Sequence, residues 1–115
     1  MYIYIDRDTS GENMTINLIP WIKHPEKGTA TYARDGFTFT IDLADQPIVA
    51  EFSWSVAKQN PRCIYLKHSY YVAGESKCLY LHRFLMATPA DMCVDHLSGC
   101  TFDNRRSNLK NVTVS

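Results

Sequence analysis

No stretch of about 18 consecutive apolar residues occurs in this 115-residue chain, so a membrane-spanning helix is not expected. The first residues, Met1-Tyr2-Ile3-Tyr4-Ile5-Asp6, lack the basic start and apolar core of a secretory signal, which reads as a cytoplasmic protein. There is no CxxC pair among Cys63, Cys78, Cys93 and Cys100, which disfavours a zinc knuckle. In a reducing compartment these are packed thiols, and no zinc is expected. One alternative stays open, a Cys/His zinc site, because Cys93 and Cys100 flank Asp95-His96. Repeats, low-complexity tracts and obvious linkers are also missing, which leaves one compact domain as the simplest organisation.

An excess of charge is absent overall, with 12 basic and 12 acidic side chains, yet the charge is unevenly spread. Residues 1–57 carry eight acidic and four basic groups, and residues 58–115 carry four acidic and eight basic. The basic second half suits a polyanionic partner, because neutralising phosphates releases counterions, although an ordinary dipolar surface gives the same count.

Helical periodicity is scarce. Tyr2 to Ile5 and Thr15 to Ile19 read as short strands, ended by Ser10-Gly11 and Pro20. Thr29 to Thr31 and Phe37 to Ile41 read as two more, around the hairpin dipeptide Asp35-Gly36. Leu43 to Trp54 has no clear period. Ile64 to Leu66 and Tyr70 to Ala73 continue the β pattern, with Gly74-Glu75-Ser76 as a turn before Cys78 to Leu81. Leu79 to Met86 reads as a strand running into one helix, stopped by Thr88-Pro89. Met92 to Val94 and Leu109 to Val114 are the last two strands. The fold class is α+β, a β-rich small domain with one short helix. Residues 1–36 form a β-rich segment of unknown role, and residues 37–115 form the rest.

Chemistry concentrates in Val94-Asp95-His96-Leu97-Ser98-Gly99 and in Asp103-Asn104-Arg105-Arg106-Ser107-Asn108-Leu109. Adjacent strand residues point to opposite faces, so Asp95 and His96 can approach one point only near a strand end or bulge. A carboxylate there suits a hard divalent cation, and an imidazole suits the removal of a proton from water. Asn108, twelve positions after His96, can bond loop backbone and hold the turn in shape. Arg105 and Arg106 suit phosphate contacts, or alternatively brace the loop through Asp103 or Asp95. Tyr65, Tyr70, Tyr71 and Tyr80 interleave with Arg62, Lys67 and Lys77, as a stacking face or as half-buried strand aromatics. His24 and His68 lie in polar surroundings and read as solvated.

Taken together, Tyr80-Leu81-His82-Arg83, Val94-Asp95-His96 and Asp103-Asn104-Arg105-Arg106-Ser107-Asn108-Leu109 resemble the HNH (His-Me finger) endonucleases of the phage and homing type. Asp42 and Trp54 fall on that family's upstream aspartate…Trp segment, and Tyr70-Tyr71-Val72-Ala73 on one of its strands. The resemblance is strong over 80–109, loose from 37, and absent over 1–36. It implies a ββα-metal finger with His96 as general base, Asp95 as metal ligand and Asn108 as the bracing residue of the catalytic set. It further implies Mg²⁺ or another divalent cation, and double-stranded DNA contacted by Arg105, Arg106, Asn104, Arg83 and Lys110. His82 and Trp54 take structural roles. The family's last ligand lies on a helix beyond the position of Ser115, so the finger is expected to be incomplete, its metal held by Asp95 with water and phosphate.

Two functions are expected on these grounds. One is a metal-dependent DNA endonuclease, nicking by phosphodiester hydrolysis. The other is an inactive HNH-like scaffold that binds nucleic acid or protein, for example a phage-encoded inhibitor of a host defence complex, acting in the bacterial cytoplasm. No membrane partner is expected, and the oligomeric state is not encoded in any motif.

Overall fold

The computed structural model describes residues 21–114. The strands expected at Tyr2 to Ile5 and Thr15 to Ile19 lie outside the described residues. Three small antiparallel sheets make up the β structure. The first joins β1 (Ile22–His24), β2 (Thr29–Arg34) and β3 (Phe37–Asp42) in sequence order. The β2–β3 turn is Asp35-Gly36, with φ of 54° and 84°. That pair of left-handed residues matches the right-handed twist of the flanking strands, which is why the dipeptide predicts a hairpin. Alternation places Ala30, Tyr32, Phe39 and Ile41 in the core.

A 3₁₀ turn (Leu43–Asp45) and the single-turn helix α1 (Gln46–Val49) replace the aperiodic stretch of the sequence. They lead to Trp54, 1% exposed, whose indole N–H donates to the Val49 carbonyl at 2.8 Å. The Tyr32 hydroxyl in turn donates to the Trp54 carbonyl at 3.0 Å. Trp54 is therefore a core residue with its polar handle satisfied.

The second sheet has β4 (Ser55–Asn60), β5 (Cys63–Val72) and β6 (Glu75–Tyr80), again in sequence order. Ile64 to Leu66 and Tyr70 to Val72 belong to one ten-residue strand. Its far end leaves the core, and Tyr71 is 75% exposed. Ala73 and Gly74 (φ 53° and 83°) form the turn, so Glu75 and Ser76 are strand residues, contrary to expectation.

Helix α2 (Leu81–Met86) follows β6 directly and buries Leu81, His82 and Leu85. It stops at Ala87, which takes the left-handed conformation. It packs against β5 and β6 on one side and against the third sheet on the other. That third sheet pairs β7 (Met92–His96) with β8 (Leu109–Thr113), placing His96 opposite Leu109 and Asp95 opposite Lys110. One continuous hydrophobic core, from Trp21 to Leu109, joins all three sheets. The division expected at 36/37 falls inside the β2–β3 hairpin, and residues 21–36 share the core with the later strands. No helix among the described residues is long and apolar enough to cross a membrane.

Candidate functional site

The candidate site is built on the β7–β8 hairpin and the long loop between its strands. His96 ends β7 facing inward and is 8% exposed, whereas Asp95 faces solvent. The alternation of a regular strand therefore holds through the last pair, with no bulge to bring the two side chains together. On its outer face Asp95 stands across from Lys110, and its carboxylate makes no hydrogen bond or ion pair among the described residues.

The imidazole of His96 is held by Asn104. The Nε2 atom lies 3.0 Å from Asn104 Oδ1 in a buried contact. Asn104 Nδ2 faces the Thr101 carbonyl, so the oxygen is the amide atom that meets the ring. A carbonyl oxygen only accepts, so Nε2 carries the hydrogen and Nδ1 carries the lone pair. Asn104 is 2% exposed. Its expected place among DNA contacts is therefore corrected: it orients the imidazole from beneath.

Asn108 closes the loop. Its Oδ1 accepts from the Ser98 N–H at 2.9 Å, its Nδ2 donates to the Asp103 carbonyl at 2.9 Å, and its own carbonyl accepts from the Leu97 N–H at 2.8 Å. Gly99, at φ 81°, turns the chain back so that its N–H reaches the His96 carbonyl at 2.8 Å. Only a residue without Cβ enters that conformation at no cost. Both asparagines thus act on the segment that presents His96, one on the ring and one on the backbone.

The loop is also tied to the first sheet. The Thr40 N–H donates to the Phe102 carbonyl at 2.9 Å and the Asn104 N–H donates to the Thr40 carbonyl at 2.7 Å, a short parallel bridge to β3. Phe102 packs against Phe37 and Phe39. The Arg106 backbone N–H donates to Asp42 at 2.9 Å, and its guanidinium donates to both oxygens of Asp45, each at 2.9 Å. The resemblance puts Asp42 on an upstream strand segment, and the sequence gives Asp45 and Thr40 no role. Nothing local in Leu43-Ala44-Asp45 signals a partner 61 residues away.

The arginines expected on DNA are engaged within the fold. Arg106 clamps Asp45. Arg105 donates through its backbone N–H, Nε and Nη2 to Asp103, which holds that carboxyl below the usual carboxylate range. Arg83 reaches three carbonyls, of Met92, Pro89 and Thr88, and so staples α2 to the start of β7. Arg83 and Arg106, both expected on phosphate, brace the fold through these bonds. Lys110 remains exposed on β8.

His82 closes the inner side. Its ring centroid lies 4.6 Å from that of Tyr65, 5.8 Å from Tyr80 and 5.3 Å from His96. Burial, followed by the nearby His96 and Arg83, lowers its pKa to about 4, so it stays neutral beside His96. Burial and the neighbouring Cys63 push the Tyr65 hydroxyl up to about 12.

No group of three or more His, Cys, Asp or Glu side chains converges on a point suited to a metal among the described residues. The local donor set is one hard carboxylate, Asp95. That set fits an ion that keeps waters and takes oxygens from a substrate phosphate, and it does not fit a protein-caged ion or a thiolate metal. Comparison with protein families, characterised proteins and solved structures yields no match to this chain.

Proposed function

We propose that the chain is an HNH-type endonuclease that hydrolyses phosphodiester bonds of duplex DNA one strand at a time. The observation that carries this reading is the Asn104–His96 hydrogen bond, which occupies Nε2 and leaves Nδ1 as the basic nitrogen at a braced hairpin end. Nδ1 takes a proton from water, the water oxygen attacks phosphorus, and the P–O bond to a deoxyribose oxygen breaks; that oxygen takes a proton from solvent, so the products are a phosphomonoester and an alcohol. A divalent cation, when bound, would be held by Asp95 with waters and phosphate oxygens and would stabilise charge on the phosphoryl group. Neutral His82 keeps a second positive charge away from the base. Asn108 fixes the backbone on which His96 is mounted.

The test is supercoiled-plasmid nicking in Mg²⁺ or Mn²⁺. His96→Ala is expected to lower the rate by roughly 10²–10⁴-fold, the usual contribution of a positioned base. Equal nicking by wild type and variant would remove the reading.

A second reading is favoured by a different observation. Arg83 and Arg106 spend their guanidinium groups on the fold, and Asp95 and His96 face opposite ways. In this reading the finger is a scaffold that binds nucleic acid or a protein partner without cleaving. Metal-dependent nicking abolished by His96→Ala eliminates it. A wild-type protein that binds a partner but does not nick selects it.

A further inference from the structure

A cavity of about 390 Å³, open on one side, lies against the 100–105 loop, and His96 is not among its lining residues. One wall is the outer face of the first sheet: Thr29 and Thr31 on β2 and Thr40 on β3, with Thr31 and Thr40 opposite each other in register. His24 and Lys27 close one end, and the His24 ring is 3.0 Å from the Thr31 hydroxyl. The other wall is the loop itself, including Phe102, Asp103 and Arg105. The Thr40 bridge fixes the spacing of the two walls.

The chemistry of this lining selects its ligand. Three threonine hydroxyls, an ammonium and a guanidinium face one space, and all can donate. The single carboxylate, Asp103, already accepts at both oxygens from Arg105. It is therefore a poor cation ligand, and it fixes the guanidinium plane while Nη1 makes no bond among the described residues. Lys27 has no ion-pair partner among the described residues. A net positive, donor-rich groove fits phosphate, with Arg105 supplying directed N–H groups and Lys27 a point charge. The volume exceeds that of a lone phosphate, and the open side lets a strand pass through, with the Phe102 ring as apolar surface for sugar. We propose that this groove binds the phosphodiester backbone of a nucleic acid, as a site distinct from His96 and independent of whether His96 is catalytic.

The experiment is fluorescence anisotropy of a labelled duplex with 5′-hydroxyl ends, in metal-free buffer over a salt series. Lys27→Ala and Arg105→Gln are each expected to weaken binding and to reduce the salt slope by about 1, the signature of one lost phosphate contact. Lys27→Glu, a charge reversal at an exposed turn, is expected to weaken it further. Lys77→Ala, on β6 and outside the groove lining, is expected to bind as wild type. Unchanged binding by Lys27→Ala and Lys27→Glu, or no binding by the wild type, overturns the proposal. Inorganic phosphate is the second arm. Lys27-dependent binding of phosphate without any binding of duplex overturns the nucleic-acid assignment in favour of a small phosphorylated ligand. Nicking is scored separately, so a duplex bound through Lys27 but never nicked sinks the nuclease and leaves the groove standing.

Discussion

At the scale of single residues, His82 carries the clearest physical consequence. It is 9% exposed among Tyr65, Tyr80 and His96, and its pKa falls from 6.5 to about 4. In the unfolded chain the same imidazole titrates near 6.5. Between those values the unfolded state binds a proton that the folded state refuses, so stability falls as pH drops. Above pH 6.5 both states are neutral and the group contributes no pH dependence. Each pH unit inside the window costs about 1.4 kcal/mol, so acidification from pH 7 to pH 5 is expected to remove roughly 2 kcal/mol. Urea unfolding at the two pH values measures this, and in His82→Phe most of the difference is expected to vanish. A wild-type difference that persists in His82→Phe would assign the loss to another group. Asp103 is not that group. Its carboxyl is depressed by Arg105, so its contribution is complete above the ordinary carboxylate pKa and is lost only as pH falls below it. At this scale the sequence is informative about residue type and less so about direction. The twelve-residue interval from His96 to Asn108 correctly marks a bracing amide, whereas Asn104 looks like a surface loop residue and is the buried partner of the imidazole.

At the scale of elements, legibility depends on how much of the folding signal is local. Asp35-Gly36 specifies its own turn through two left-handed residues, and the β2–β3 hairpin is readable from it. Strand β4 is not readable, because Lys58-Gln59-Asn60 is polar and exposed and becomes a strand only by pairing with β5. The end of α2 is signalled by Thr88-Pro89, and the helix does end before it, at Met86. The stop has a second component that the sequence conceals. Ala87 adopts φ 46°, ψ 50°, a conformation usually given to glycine at a helix end. Its methyl group meets the neighbouring carbonyl there, and Ala87 is exposed, so nothing in the core depends on it. Ala87→Gly is expected to raise stability by roughly 0.5–1 kcal/mol, the strain relieved less the added entropy of the unfolded chain. Ala87→Val is expected to lower it, since a β-branched side chain tolerates that conformation least. Thermal unfolding of the three proteins gives the order, and Gly ranking below Ala would show that the turn is not strained.

At the scale of the whole molecule, the long loop between β7 and β8 is not held by its own hairpin alone. Arg106 fastens it to Asp45 with two hydrogen bonds and to Asp42 through its backbone, and Thr40 adds a two-bond bridge. The first sheet therefore serves the candidate site as a wall against which the His96-bearing loop is set. Residues 21–36 are accordingly folded into the same core as the later strands. The geometry also sets a limit on the arginine: its side chain is half exposed, so solvent screens the pair, while Asp45 is only 10% exposed. A double-mutant cycle of Arg106→Ala and Asp45→Ala is expected to give a coupling of about 1 kcal/mol, within the range for exposed to partly buried pairs. The larger effect should be local. Without the clamp the loop opens more often, so hydrogen exchange at the Leu97 and Ser98 amides, both bonded to Asn108, should accelerate in Arg106→Ala. Amides of β5, remote from the clamp, should keep the wild-type rate. If Leu97 and Ser98 exchange as in wild type while the pair still couples, the clamp stabilises the fold without ordering the site, and the first sheet has no part in presenting His96.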